Sequence, residues 1–80
     1  MTEDKKVYWL SRVPDTDDFG NSIHFDFVDG KTKYGPWAIM AHSQVKGVQS
    51  SFDINGVGLG TGLGQHYQKQ LDGRWLKVEG

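Results

Sequence analysis

Apolar and polar side chains alternate most clearly over residues 22–28. The apolar members at every second position are Ile23, Phe25 and Phe27. His24 and Asp26 fill the positions between them. Because successive side chains of a strand point to opposite faces of a sheet, this pattern predicts a strand with one apolar and one polar face.

The residues that follow predict a hairpin. Asp29-Gly30 favours a tight turn of the primed type, after which the strand is expected to resume over residues 31–34. Gly35-Pro36 then interrupts it, because proline fixes its own φ and restricts the residue before it. Residues 37–41 are short and apolar, and we expect a further strand there.

Strand patterns also occur near both ends of the chain. Residues 5–13 are partly apolar on both expected faces, which suits a central strand, and Pro14 ends the pattern because it lacks an N–H donor. Residues 65–71 and 74–78 flank Asp72-Gly73, so a second hairpin is predicted here.

Residues 42–55 show the least pattern. They are compatible with one helical turn near residues 43–49, although Gly47 weakens it. The residues that follow have side chains typical of loops and turns, and we expect a loop that Phe52 and Ile54 attach to the core.

Glycine occupies every even position from Gly56 to Gly64. In an extended segment this spacing would leave one face of bare backbone. Glycine loses more conformational entropy on folding than any other residue, so the run indicates positive φ angles or a close approach by another group. We expect a strand or an aromatic ring of the same domain to cover the bare face, with an external partner as the alternative.

The whole pattern predicts an all-β fold, since no stretch has sustained helical periodicity. We expect residues 1–80 to form a single antiparallel domain, with residues 1–4 frayed. The architecture is expected to be a small barrel or a curved sheet of about five or six short strands, with at most one helical turn near residues 43–49.

Composition narrows the function classes. The chain has 80 residues, a net charge of −1 and no cysteine, which excludes disulfides and thiolate metal sites. The near-neutral charge gives no strong electrostatic footprint for nucleic acid. No apolar run is long enough to span a membrane, and the N-terminus lacks the apolar core of a signal peptide, so we expect no membrane association.

No catalytic or cofactor motif stands out. The serines lack the context of a nucleophile elbow, and the glycine run lacks the spacing of a dinucleotide fingerprint and the lysine of a phosphate-binding loop. We therefore expect neither enzymatic activity nor a cofactor.

Metal binding is likewise not expected. His24, His42 and His66 are far apart in the sequence with no close pair, which favours ordinary surface or half-buried histidines. Asp15, Asp17, Gly20 and Asp26 match four positions of a calcium loop, but Phe19 takes a ligand position and no helix flanks the loop. A solvated acidic turn is the expectation for this stretch.

Three parts of the chain together resemble one family. They are DDFGNSI (residues 17–23) with FVDGKTKYGPWAIM (27–40), GVGLGTGLGQHYQKQ (56–70), and DGRWLKVEG (72–80). The combination resembles a group of small uncharacterised bacteriophage-encoded proteins, and its parts are spread over residues 17–80. The resemblance implies a phage origin and a location in the host cytoplasm, and it implies no established activity.

The function expected from these features is non-catalytic binding of a host protein, as in host takeover or anti-defence inhibition. The aromatic residues support this, because they are common anchors at protein interfaces. The alternative is a small β module that binds single-stranded DNA or RNA, stacking bases on aromatics beside Lys31, Lys33, Lys69, Arg74 and Lys77.

A homodimer is also predicted, since unpaired strand edges invite another chain. The candidate partner-binding residues are Tyr34, Trp37, Gly58, Gly60, Gly62, Tyr67, Arg74 and Trp75.

Overall fold

A computed structural model describes residues 6–43 and 45–80. In chain order the elements are β1 (Asp26–Lys31), β2 (Trp37–Ala41), α1 (Ser51–Asn55), β3 (Gly64–Lys69) and β4 (Trp75–Glu79). The four strands form one sheet in the order β2-β1-β3-β4, and every neighbouring pair is antiparallel. The antiparallel all-β class is confirmed, with an open sheet rather than a barrel and four named strands rather than five or six.

The predicted turn at Asp29-Gly30 is wrong, because both residues lie inside β1. The chain reverses later, where the N–H of Thr32 donates to the carbonyl of Pro36 at 2.9 Å. Gly30 is opposite Gly64 in the ladder, and a Cβ on Gly30 would lie 2.8 Å from the Cα of Gly64. Glycine is therefore needed here for the close approach of two strands, and not for a turn.

The strand predicted over residues 22–28 begins only at Asp26. Phe27 is fully buried, whereas Phe25 is 75% exposed, so the two do not share a buried face. Asp26, predicted on the polar face, is buried as well. Both faces of β1 are covered, since Asp26 and Val28 on one face and Phe27 on the other are buried, and both of its edges are paired, with β2 and β3.

The hairpin predicted at Asp72-Gly73 is confirmed between β3 and β4. Gly73 has a φ of 89°, and the Asp72 carboxylate accepts the N–H of Arg74 at 2.9 Å. Both are features that favour Asp-Gly in a tight turn.

The N-terminal segment lies at the outer edge of β4 and not in the centre of the sheet. The N–H of Trp9 donates to the carbonyl of Trp75 at 2.9 Å, and the N–H of Lys77 donates to that of Val7 at 2.7 Å. The predicted start of this strand at Lys5, and the predicted fraying of residues 1–4, lie outside the described residues.

An aromatic cluster fills one face of the sheet. Phe27 stacks on Tyr67 at 5.2 Å between ring centroids, and the ring of Trp9 packs edge-on against both. Trp75 completes the cluster at 5.3 Å from Phe27. Such contacts bury large apolar areas, which matters in a chain of 80 residues.

Among the described residues, the one helix, α1, lies C-terminal to the helical turn predicted near residues 43–49. Residues 45–48 form a turn in which the N–H of Val48 donates to the carbonyl of Val45, and Gln44 lies outside the described residues. α1 starts after Ser50 because Ser50 and Asp53 form a capping box: each side chain accepts the other's backbone N–H. Ser50 and Asp53, which were expected to lie in a loop, therefore mark the start of a helix.

The glycine run is a looped segment and not a strand with a bare face. Gly58, Gly60 and Gly62 have φ values of 148°, 126° and 79°. The N–H of Leu63 donates to the carbonyl of Gly60 at 3.0 Å, which closes a tight turn. A Cβ on Gly60 or Gly62 would meet nothing within 4 Å, so the expected internal aromatic cover is wrong. Glycine is needed at these positions because their φ angles are positive, a conformation that other residues rarely adopt.

Both outer edges of the sheet are hydrogen-bonded by the chain itself. Residues 7–9 run beside β4. Along β2, the Asp18 carboxylate accepts the N–H of Ile39 and the Asp17 carboxylate accepts the N–H of Ala41, each at 2.8 Å. Edge groups used in this way are not available for strand addition.

Within residues 6–43 and 45–80, no helix has the length and apolar character that crossing a membrane requires.

Candidate functional site

Three neighbouring chain segments bring Asp26, His42 and His66 together. Asp26 of β1 is opposite Gln68 of β3, so His66, two residues from Gln68, lies diagonally across on the same face. On the other side of β1, Phe27 is paired with the last residue of β2. His42 follows directly, and its N–H donates to the Asp26 carbonyl at 3.4 Å. The sheet register thus places one histidine on each side of Asp26.

The side chains of this polar cluster converge on one oxygen atom. The Oδ2 atom of Asp26 lies 2.8 Å from Nδ1 of His42 and 3.0 Å from Nε2 of His66. The two imidazole centroids are 4.4 Å apart. With Asp26 ionised, each imidazole donates an N–H to the shared oxygen.

Burial makes this arrangement electrostatically important. Asp26 is 5% exposed and His66 is 7% exposed, while His42 is half-buried beside the ring of Phe52 at 5.7 Å. A carboxylate removed from water is costly to ionise unless charged or hydrogen-bonding groups compensate it. Two imidazoles provide such compensation, and they can also bind a metal ion.

A cavity of about 740 Å³ gives access to the cluster. Asp26 and His42 both line it, together with Ser22, His24, Phe25, Val45, Gln68 and Lys69. Its lining therefore combines the apolar side chains of Phe25 and Val45 with polar groups. This combination is typical of ligand sites in proteins.

The expectation of surface or half-buried histidines does not hold for His66, which is buried, and His42 and His66 lie close together although they are far apart in the sequence. His24 lines the same cavity but is not part of the cluster. The sequence feature that pointed to this cluster was an aspartate, Asp26, at a polar position of an alternating strand pattern. Its partners could not be identified, because they depend on the register of two pairings that join residues far apart in the chain.

Asp17 is also buried, so the acidic turn is not simply solvated. Its carboxylate accepts N–H groups from Phe19, Asn21 and Ala41 at 2.8 to 2.9 Å. Burial alone raises the pKa of Asp17, but the hydrogen bonds from Ala41, from the Ser51 side chain and from the two turn amides outweigh it. The pKa of Asp17 is therefore lowered from its ordinary value of 3.8. This aspartate joins the turn to the edge of β2.

The eight candidate partner-binding residues do not form one surface. Tyr34 and Trp37 lie at the end of the sheet where β1 passes into β2, near the glycine segment. Arg74 and Trp75 lie at the opposite end, in and after the β3–β4 turn, where Arg74 pairs with Asp72. Tyr67 is buried in the aromatic cluster. Gly58, Gly60 and Gly62 belong to the looped segment beside the first group.

Comparison of the chain with protein-family models, curated proteins and solved structures finds no match. The resemblance to bacteriophage-encoded proteins therefore stays a prediction. Two features of the molecule are candidate binding sites. One is the polar cluster of Asp26, His42 and His66, and the other is the apolar end of the sheet near the glycine segment.

Proposed function

We propose that this protein is a bacteriophage accessory protein that binds a host protein, inhibiting or redirecting it, without catalysing a reaction. The observation that carries the proposal is a set of exposed apolar side chains at the end of the sheet beside the glycine segment. We define this glycine-end surface by Tyr34, Trp37, Ile54, Val57 and Leu63, each of which is at least 40% exposed.

The backbones that carry these side chains meet at one place. The N–H of Lys33 donates to the carbonyl of Asn55 at 2.8 Å, and the N–H of Lys31 donates to that of Leu63 at 2.7 Å. Thr32 is bridged to Gly56, and the Tyr34 hydroxyl donates to the Asn55 side chain at 3.2 Å. Residues that are distant in sequence thus contribute to one end of the molecule.

The chemistry of this surface suits a protein partner. Exposed aromatic and aliphatic side chains grouped together are a mark of interaction sites, and aromatic residues supply much of the binding energy of interfaces. Because the outer edges of β2 and β4 are already hydrogen-bonded, contact through side chains is favoured over strand addition.

The nucleic-acid alternative has less support from the arrangement of charges. Lys33 lies over the ring of Tyr34 at one end of the sheet, at 5.4 Å. Arg74 lies over the ring of Tyr8 at the other end, at 4.2 Å, and it pairs with Asp72. A groove for a single strand needs basic and aromatic groups in a continuous track, whereas these two basic–aromatic pairs lie at opposite ends of the sheet.

The test is affinity capture from a nuclease-treated host lysate, comparing the parent protein with Val57→Asp, Trp37→Ala and Leu71→Ala. Leu71 is the matched control, because it is fully exposed in the opposite turn. We expect the parent and Leu71→Ala to retain the same host protein. Both glycine-end variants should weaken its binding by about 30-fold or more, as expected for an interface hot spot.

Two results would contradict the proposal. One is retention of the captured protein by both glycine-end variants, which would exclude this surface. The other, in a parallel lysate without nuclease, is recovery of nucleic acid alone, lost when salt is raised, which would favour the alternative function.

A further inference from the structure

The geometry points to a metal site that holds one divalent first-row transition ion, such as Zn²⁺, between Asp26, His42 and His66. The ligand atoms are Oδ2 of Asp26, Nδ1 of His42 and Nε2 of His66, which all lie within 4.8 Å of one another. This inference is independent of the proposed binding of a host protein, because the cluster lies at the other end of β1 from the glycine-end surface.

The two distances from the Asp26 oxygen are slightly shorter than those between the ligand atoms of a metal ion. Donors around a tetrahedral zinc ion, with bonds of about 2.0 Å, lie roughly 3.3 Å apart. The contacts of Asp26 with His42 and His66 are 2.8 and 3.0 Å, so a small outward movement would admit the ion. On binding, the single proton of each neutral imidazole transfers, by exchange with solvent, to the ring nitrogen that does not ligate, so that the ligating nitrogen offers its lone pair to the ion.

The donor set selects the class of ion. Two imidazoles suit zinc, copper, nickel, cobalt and iron, whereas calcium and magnesium prefer sites built entirely from oxygen atoms. The chain has no cysteine, so thiolate ligation is excluded. One carboxylate leaves a net positive charge on the bound ion, which favours a water or an anionic group as a further ligand.

The site is held by the sheet. Asp26 and His66 lie on adjacent paired strands, and His42 is fixed by its backbone contact to Asp26 and by its packing against Phe52. Ligands on rigid elements need little reorganisation to bind an ion. Asp26 and His42 line the cavity, which provides an entry path and room for a further ligand. Three protein ligands with an open position are typical of zinc sites that bind or activate a small molecule.

The test is titration of the tag-free, chelator-treated protein with Co²⁺ alone, followed by competition with Zn²⁺. Tetrahedral cobalt gives visible absorption bands, which report ligation directly. We expect one Co²⁺ per chain on the parent protein, displaced by Zn²⁺. His42→Ala and Asp26→Asn should weaken binding by about 100-fold or more, since loss of even an outer-shell partner costs 10- to 100-fold.

His24→Ala is the matched control, because His24 lines the same cavity outside the cluster. It should bind Co²⁺ like the parent. Circular dichroism of each variant confirms folding, and His42→Gln replaces His42→Ala where the latter does not fold. Absence of saturable cobalt binding to the parent would overturn the inference, leaving a hydrogen-bonded triad. Binding that is lost in His24→Ala, or kept in both His42 and Asp26 variants, would overturn it as well.

Discussion

Asp17 and Asp29 have opposite effects on the stability of this small domain when they are ionised. Asp17 is stabilised in its ionised form by several N–H donors, whereas burial, reinforced by the negative charge of Asp18, raises the pKa of Asp29. A lowered pKa means that the charged group favours folding, and a raised pKa means that it opposes folding. Two aspartates twelve positions apart therefore have pKa shifts of opposite sign because of their neighbours.

Asp17→Asn should lower the free energy of unfolding at pH 7 by about 1–3 kcal/mol, since one of the donors now bound to Oδ1 or Oδ2 would face an NH₂ group. Because the pKa of Asp17 is lowered on folding, its contribution is present above pH 3.8 and is lost as the pH falls through the lower folded value. Urea unfolding at a series of pH values measures both effects. The exposed Asp15→Asn is the control, and equal acid sensitivity of Asp17→Asn and the parent would contradict this account.

Asp29→Asn should raise stability at neutral pH. The folded-state pKa of Asp29 lies above its ordinary value, so its stabilising contribution is complete at low pH and is lost as the pH rises through that folded value. Asp29→Asn cannot ionise, so the variant does not lose this stability as the pH rises. We expect its thermal midpoint to exceed the parent's at pH 7 and to converge with it near pH 3. A lower midpoint at pH 7 would show that the carboxylate makes a favourable contact.

At the scale of elements, glycines and capping residues set where each segment begins and how closely segments approach. Gly30 and Gly64 allow β1 and β3 to come together, while Gly58, Gly60 and Gly62 give the preceding segment its positive φ angles. α1 depends on the side chains at its start, because it has only five residues and little intrinsic stability.

Gly30→Ala should destabilise the protein by about 3 kcal/mol, because the new Cβ would lie 2.7 Å from the Leu63 carbonyl oxygen and 2.8 Å from the Gly64 Cα. Both atoms belong to the backbone, so neither moves easily. Gly62→Ala is the comparison variant, because a Cβ at this position would have no atom within 4 Å. Its positive φ of 79° alone should lower the free energy of unfolding by about 1 kcal/mol. Chemical denaturation of both variants measures the difference, and a reversed order would refute the close-approach explanation.

Ser50→Ala should cost about 1 kcal/mol, since it removes the hydroxyl that accepts the Asp53 N–H at the start of α1. The exposed Ser11→Ala serves as the control. Differential scanning fluorimetry would compare the two, and an unchanged midpoint in Ser50→Ala would mean that tertiary contacts alone hold the helix.

At the scale of the whole molecule, the outer edges of the described sheet are hydrogen-bonded at Ile39, Ala41, Trp75 and Lys77, which disfavours strand addition as the route to the predicted homodimer. The chain's own Asp17, Asp18 and residues 7–9 occupy the outer edges of the sheet. We therefore expect self-association to take place through exposed apolar side chains, and to be weakened by Val57→Asp. Light scattering over a range of concentrations tests this, and a monomer mass throughout would remove the homodimer.

The sequence by itself determined the class of fold and several local features. Alternating apolar positions and turn residues predicted the antiparallel sheet, and Asp72-Gly73 correctly located the β3–β4 hairpin, because both signals act between residues close in the chain. Local signals failed where a distant segment decided the outcome. Asp29-Gly30 has turn chemistry, yet Gly64 across the ladder keeps Gly30 within a strand.

Only the tertiary structure decided which polar residues meet. His42 and His66 are separated by 24 positions, and each reaches Asp26 through a different strand pairing. A shift of one residue in either register would turn a ligand to the opposite face of the sheet. The candidate metal site is therefore a property of strand order and register, which no single stretch of this sequence encodes.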